Sequence, residues 1–259
     1  MILLRRQLAF QSAALLLACQ LAACVSDGPE SGSRAANTAA AANLQLGSAY
    51  LQQGNLPVAK EKLERAVLQS PHDPAIHGLL ALLYQRLGDD QRVDAEFHTA
   101  LKLAPHDPDL LNNYAVYLCG KGRTDEGVAR FQEAANNPLY RTPWAADTNA
   151  GVCLRGAKRE AEAAPLFKHA LQRRPDYAEA VAQLADLEIS QGQAGEAYQR
   201  VEAFLHANPA SAELLYLAWR AASALQNKTT TAQMVWRLQT EFPDSEQARS
   251  IAALRRDPH

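Results

Sequence analysis

What this chain lacks narrows it first. A basic surplus is missing: 26 lysines and arginines face 28 acids across 259 residues, a formal net charge of −2. So mild a balance gives no electrostatic footprint for nucleic acid or for an anionic surface. Long apolar runs are scarce, and beyond the first two dozen residues none could span a bilayer. Catalytic and metal signatures are missing too. The seven histidines show no H-E-x-x-H spacing, no glycine-rich loop follows a strand pattern, and no nucleophile has a neighbouring base. The sequence therefore predicts no catalytic residue, no metal site, no cofactor and no enzyme. Cysteine is rare, at four residues, and each of the four has a place to be explained.

The N-terminus accounts for two of them. Arg5 and Arg6 form a positive region and Leu8 to Leu17 a short apolar one, the pattern of a secretory signal peptide over residues 1–23. It ends in Leu21-Ala22-Ala23-Cys24, which resembles the bacterial lipobox, Leu-(Ala/Ser)-(Gly/Ala)-Cys. That resemblance implies lipidation of the Cys24 thiol, cleavage before it and acylation of the new amino terminus. Leu16-Leu17-Ala18-Cys19 fits less well, because a bulky leucine precedes the small residue. Several acyl chains anchor firmly, since each buried methylene contributes about 0.8 kcal/mol. Valine rather than aspartate follows Cys24, so the expected location is the outer membrane, lipid-anchored and facing the periplasm. Residues 24–41 are small and polar and are expected to form a flexible tether whose alanine-rich end leads into the first helix.

Beyond the tether the chain repeats itself. Pro71, Pro105, Pro175, Pro209 and Pro243 lie at intervals of 34, 70, 34 and 34 residues, and 70 is 34 plus 36. A period of that size indicates a repeat architecture. Apolar residues within each period fall at i, i+3, i+4 and i+7, the pattern of paired amphipathic helices. Six units begin near residues 40, 74, 108, 144, 178 and 212 and fill 42–243. The first reads Asn43, Leu46, Gly47, Tyr50, Ala59, Leu63, Ala66 and Pro71. It resembles the tetratricopeptide repeat, W-x2-L-G-x2-Y followed by A-x3-F-x2-A and P. Small residues at Gly47, Ala81, Ala115 and Gly151 should let the two helices of a pair approach, and Tyr84 and Phe97 should fill the space between pairs. The expected fold is all-α, a right-handed superhelical solenoid of six such repeats. Residues 244–259 supply a polar-faced capping helix and tail. Glu188, at an aromatic position, and Trp219, at a small one, break the pattern in the last two units.

Two motifs invite chemistry. Pro-His-Asp-Pro occurs at 71–74 and again at 105–108. Its place between repeats suits Asp73 and Asp107 as helix N-caps, with Pro74 and Pro108 at the first helical position. Cys119 and Cys153 lie on the first helices of the third and fourth units. Adjacent first helices pack side by side, so a disulfide is open to them in an oxidising compartment; two small buried apolar residues are the alternative.

The junction NNPLYRTPW at 136–144 is two residues longer than the period allows. Together with NAGVC, with LLNNYA at 110–115 and with LQLGSAYLQQGNLPVAKEKLERAV at 44–67, it resembles the PilF/PilW pilotins of type IV pilus biogenesis, lipoproteins of six tetratricopeptide repeats. The resemblance covers about residues 43–243 and the lipobox. It implies a protein that assists the secretin, the outer-membrane ring through which the pilus emerges, in reaching that membrane and assembling as a multimer. The concave positions of the first three units are Leu44, Ser48, Leu51, Gly78, Leu82, Gln85, Asn112 and Val116. This mostly apolar lining suits an amphipathic segment of the secretin subunit rather than a bare carboxylate. A monomer is expected. The rival reading is a tetratricopeptide lipoprotein that scaffolds cell-wall hydrolases or another outer-membrane assembly machine.

Overall fold

The structure, a computed structural model, describes residues 29–256, so Cys19 and Cys24 lie outside the described residues. Those residues hold thirteen α-helices and no strand. Six consecutive helix pairs are followed by one last helix. The pairs are α1 (Pro29–Gln52) with α2 (Leu56–Gln69), α3 (Pro74–Leu87) with α4 (Asp90–Leu103), and α5 (Pro108–Gly120) with α6 (Thr124–Asn136). Then come α7 (Pro143–Gly156) with α8 (Glu160–Arg173), α9 (Ala178–Ser190) with α10 (Ala194–Ala207), and α11 (Ala212–Ala224) with α12 (Lys228–Glu241). The last helix is α13 (Glu246–Arg256). Two compact units divide at His72 and Asp73. The first contains α1 and α2, the second α3 to α13.

In the first unit the helix starts earlier than the expected tether allows. Residues 29–41 belong to α1, and Ala40 is already buried. The reason lies in the run from Ala35 to Ala42, which is mostly alanine, the residue with the lowest cost of entering a helix. The alanine-rich end leads into the helix as expected, and the helix extends further back, to Pro29. Within the pair, a Cβ on Gly47 would lie 2.6 Å from Leu63, so only the missing side chain lets the two helices meet at that point.

The second unit repeats that device. A Cβ on Gly151 would fall 2.5 Å from the Phe167 ring, and Ala81 and Ala115 are fully buried at the corresponding places. Phe97, Phe131 and Phe167 fill the core from the second helices. Helix starts are built into the sequence. The Asp73 carboxylate accepts from the Ala75 amide at 2.9 Å, and that of Asp107 from the Asp109 and Leu110 amides at 3.0 Å each. Pro74 and Pro108 occupy the first turns that follow. Both carboxylates of the Pro-His-Asp-Pro motifs are therefore occupied in capping.

The two outliers are absorbed differently. Glu188 is buried at its aromatic position and takes two hydrogen bonds from Arg200 of α10, at 2.6 and 3.1 Å. A paired charge stands where a ring was expected. In α11 the small role passes to Ala218 and Ala221, which join Met234, Val235 and Leu238 in one core cluster. Trp219 is thereby released to a half-buried position, stacked on Tyr216 with ring centroids 5.3 Å apart. Ala248 and Ile251 of α13 are buried at the end of the array, covering apolar surface that a terminal repeat would otherwise expose.

Removing one partner of a buried ion pair strands the other. Arg200→Met should lower unfolding free energy by about 3–5 kcal/mol. The double variant Glu188→Leu/Arg200→Met should recover most of that loss. Urea unfolding of both variants checks it, and a single variant as stable as the parent would show that Glu188 does not depend on Arg200.

Candidate functional site

The first helices of the second unit carry one register position that reads, repeat by repeat, Leu82, Val116, Val152, Asp186, Arg220. The steps are 34, 36, 34 and 34 residues, so these side chains come from equivalent turns of α3, α5, α7, α9 and α11. The first three are apolar, and the two valines are open to solvent. Leu82 is half-buried, and Val116 and Val152 are 46% and 41% exposed. Asn112 and Asn149 lie near this apolar stretch, joined by a hydrogen bond that Asn149 donates at 3.2 Å. Gln85 is exposed one turn beyond Leu82.

Two of the sequence-chosen lining residues do not belong there. Leu51 is buried; it stands one turn beyond Gly47, on the face of α1 that turns inward to meet α2. Gly78 is buried because Leu110 of α5 packs over it, within 2.5 Å of where a Cβ would stand. In the first unit Leu44 and Ser48 are half-buried.

Cys119 and Cys153 lie beside this face. Their sulfurs are 1.96 Å apart and their Cα atoms 5.6 Å apart, a disulfide between α5 and α7. It borders an open cleft of about 430 Å³ that Val152, Gly122 and Gly156 also line. The two half-buried cysteines pack against the core cluster of Leu111, Ala115 and Phe131. Nearby, α4 and α5 are tied by polar contacts. The Tyr114 hydroxyl donates to Asp94 at 2.7 Å, and Arg123 donates to the same carboxylate at 2.9 Å. Burial, with Asp94 alongside, pushes the Tyr114 hydroxyl up to about 12.

Past Val152 the face changes character. Asp186 accepts from Arg155 at 2.6 Å through one oxygen and from Arg220 through the other. Arg155 also donates to Gln183 Oε1 at 2.5 Å, and Gln183 donates to Glu179 at 2.9 Å. Burial pushes the Asp186 carboxyl up, but the hydrogen bonds from Arg155 and Arg220 outweigh it, and the group sits below the ordinary aspartate value. This ladder crosses α7, α9 and α11 beside a cleft of about 280 Å³. Reading the repeats only as far as the third missed it. Opposite charges one repeat apart at a single register position, Asp186 and Arg220, were the available signal.

The described histidines pair with single acids or sit at the surface: His77 lies 2.6 Å from Glu96, and His169 lies 3.1 Å from Asp147. His106 is exposed, 3.2 Å from Glu133 at the surface. Among the described residues, no group of three or more histidine, cysteine, aspartate or glutamate side chains could hold a metal ion. What the face offers is a row of apolar side chains followed by hydrogen-bonding groups fixed on one another.

Comparison with known proteins agrees with this architecture. Tetratricopeptide-repeat family models match residues 44–92 and 154–221. The type IV pilus assembly protein PilF of Pseudomonas aeruginosa is 28% identical over 233 residues, which is 89% of this chain and 92% of that protein. An uncharacterized protein of Haemophilus influenzae is 31% identical over 130 residues, 50% of this chain and 72% of its own length. The solved structure of Pseudomonas aeruginosa PilF superposes with a TM-score of 0.69 at 27% identity, covering 85% of this chain and 99% of that one. PilW, described as a widely conserved type IV pilus biogenesis factor, gives the same TM-score of 0.69 and 27% identity, over 82% and 98% of the two chains.

The chain belongs to the PilF/PilW family of tetratricopeptide-repeat proteins.

Outside the family, the peptide-binding repeat protein YrrB shares the fold alone, at 18% identity with a TM-score of 0.55 over 74% of this chain and 98% of that one.

Closing a loop across 34 residues should be worth about 3–4 kcal/mol through the unfolded chain. Reducing the oxidised protein, or replacing both cysteines by serine, should therefore shift its urea unfolding by that amount. Coincident curves for oxidised and reduced protein would show that the Cys119–Cys153 bond adds no stability.

Proposed function

We propose that this chain is a factor of type IV pilus biogenesis, anchored in the outer membrane through lipid on Cys24, whose first-helix face holds a segment of the secretin subunit. In this reading it brings that subunit to the membrane and favours its assembly as a multimer. The observation that carries the binding role is the exposed apolar strip of Leu82, Val116 and Val152. Two valines more than two-fifths exposed stand at the same register position of successive repeats, with Leu82 half-buried at the repeat before them. Exposed apolar surface that gathers on one face marks an interaction site. The relatives supply the pilus context, since PilF is named for type IV pilus assembly and PilW for pilus biogenesis.

The mechanism is binding without chemistry. An amphipathic segment lays its apolar side on the strip and finds hydrogen-bonding partners in Asn112, Asn149 and Gln85. No described helix is long and apolar enough to cross a membrane, so attachment in this scheme falls to the acyl chains. Several of them hold firmly where one alone would exchange. Such a protein has no catalytic role and works as a monomer.

Val116→Glu and Val152→Glu should leave helical content and urea stability unchanged, because both positions are open to solvent. Each should weaken capture of purified secretin subunits at least about tenfold, a change of about 1.4 kcal/mol. Capture at parental strength by both variants would remove the strip from the mechanism.

A further inference from the structure

The cleft over the last repeats contains groups that its own fold leaves unused. Along α11, Glu213, Tyr216 and Arg220 follow at i, i+3 and i+7 and so share one face. All three line the cleft, with Gln247 of α13 at its edge and Ala182 and Leu217 forming apolar wall. Arg220 reaches Asp186 through Nη1 alone, which leaves its Nε and Nη2 groups as donors. Among the described residues, the Glu213 carboxylate, the Tyr216 hydroxyl and the Gln247 amide have no hydrogen-bond partner.

Glu213 is the telling member. The first turn of a helix favours a carboxylate, yet burial and the neighbouring carboxylates of Glu179 and Asp186 push its carboxyl up. In the folded chain its charged form is less comfortable than in the unfolded one. Glu213 is open to solvent in the cleft wall, and a perturbed carboxylate so placed in a cleft marks a candidate ligand site. The ladder supplies no cation to it, since Arg155 is spent on Asp186 and Gln183. The missing element is a positive charge from outside.

We propose that this cleft is a second subsite of the partner groove, taking a stretch of the bound segment that brings a lysine or arginine side chain to Glu213 and backbone carbonyls to Arg220 and Gln247. Charge complementarity selects the occupant. Continuity with the apolar strip fixes its order, because Asp186 follows Val152 by one repeat at the same register position. The bound segment is thus apolar across α3, α5 and α7 and basic across α9 and α11. The subsite rests on the groove reading above and adds what that reading lacks, a charge requirement.

The test measures melting temperature and secretin capture together, using mature, lipid-bearing protein. Glu213→Gln should melt at or above the parental temperature, because it relieves the crowding by Glu179 and Asp186, and should capture the secretin subunit about tenfold more weakly. Glu213→Lys should weaken capture further. If both variants capture like the parent while Val116→Glu does not, the subsite is overturned and the groove stands. Weaker capture accompanied by a lower melting temperature also overturns it, since Glu213 would then be a structural residue. If the parental chain captures no secretin, the groove reading and the subsite fall together.

Discussion

Close approach of two helices at a missing side chain is the constraint on which this structure depends. Where Gly151 meets Phe167, and Gly47 meets Leu63, no Cβ could be accommodated without moving its neighbour. This contact sets the approach of those two pairs, Ala81 and Ala115 take the same place in α3 and α5, and Phe97, Phe131 and Phe167 of α4, α6 and α8 fill the core. In the second unit neighbouring pairs share one core, so stability comes from neighbours and from the cap that ends the array. A consequence follows for function. Within the second unit, with inward and lateral faces of the first helices committed to packing, one face remains, and it recurs at steps of 34, 36, 34 and 34 residues.

That face is divided by chemistry. Apolar residues at Leu82, Val116 and Val152 give way to Asp186 and Arg220, and the Cys119–Cys153 bond lies beside the last of the valines. Hydrophobic contact supplies affinity without much discrimination, whereas fixed charges supply discrimination and steering. A binding face with both parts in series can hold a segment firmly and still reject one of the wrong sequence. The polar part is rigid as well as charged: each oxygen of Asp186 is held by a different arginine from a different helix.

Much of this was legible in the sequence, for reasons that can be named. The proline period and the small residues at Gly47, Ala81, Ala115 and Gly151 express sterics that act within a few residues, so the repeat could be read directly. Capping by Asp73 and Asp107 is equally local. Partners that lie a turn away on another helix are a different matter. Nothing near Glu188 in the chain announced Arg200, and the pair is 12 residues apart on separate helices. Leu51 and Gly78 were misplaced because a register position was treated as a surface, while Leu110 from the next repeat was free to cover Gly78. The alanine-rich end of the expected tether was read as leading into the first helix; what the small polar residues before it hid is that the helix reaches back to Pro29.

Anchor and groove together make a specific claim, that a bound secretin subunit travels to the outer membrane with this protein. The most direct measurement replaces Cys24 by alanine in the native host and follows secretin multimers in separated membranes. Multimers lost, or stranded in the inner membrane, are the expected result. Normal multimers in the outer membrane, with the variant shown to be unanchored, would contradict lipid-borne delivery and leave the repeat array as a soluble scaffold.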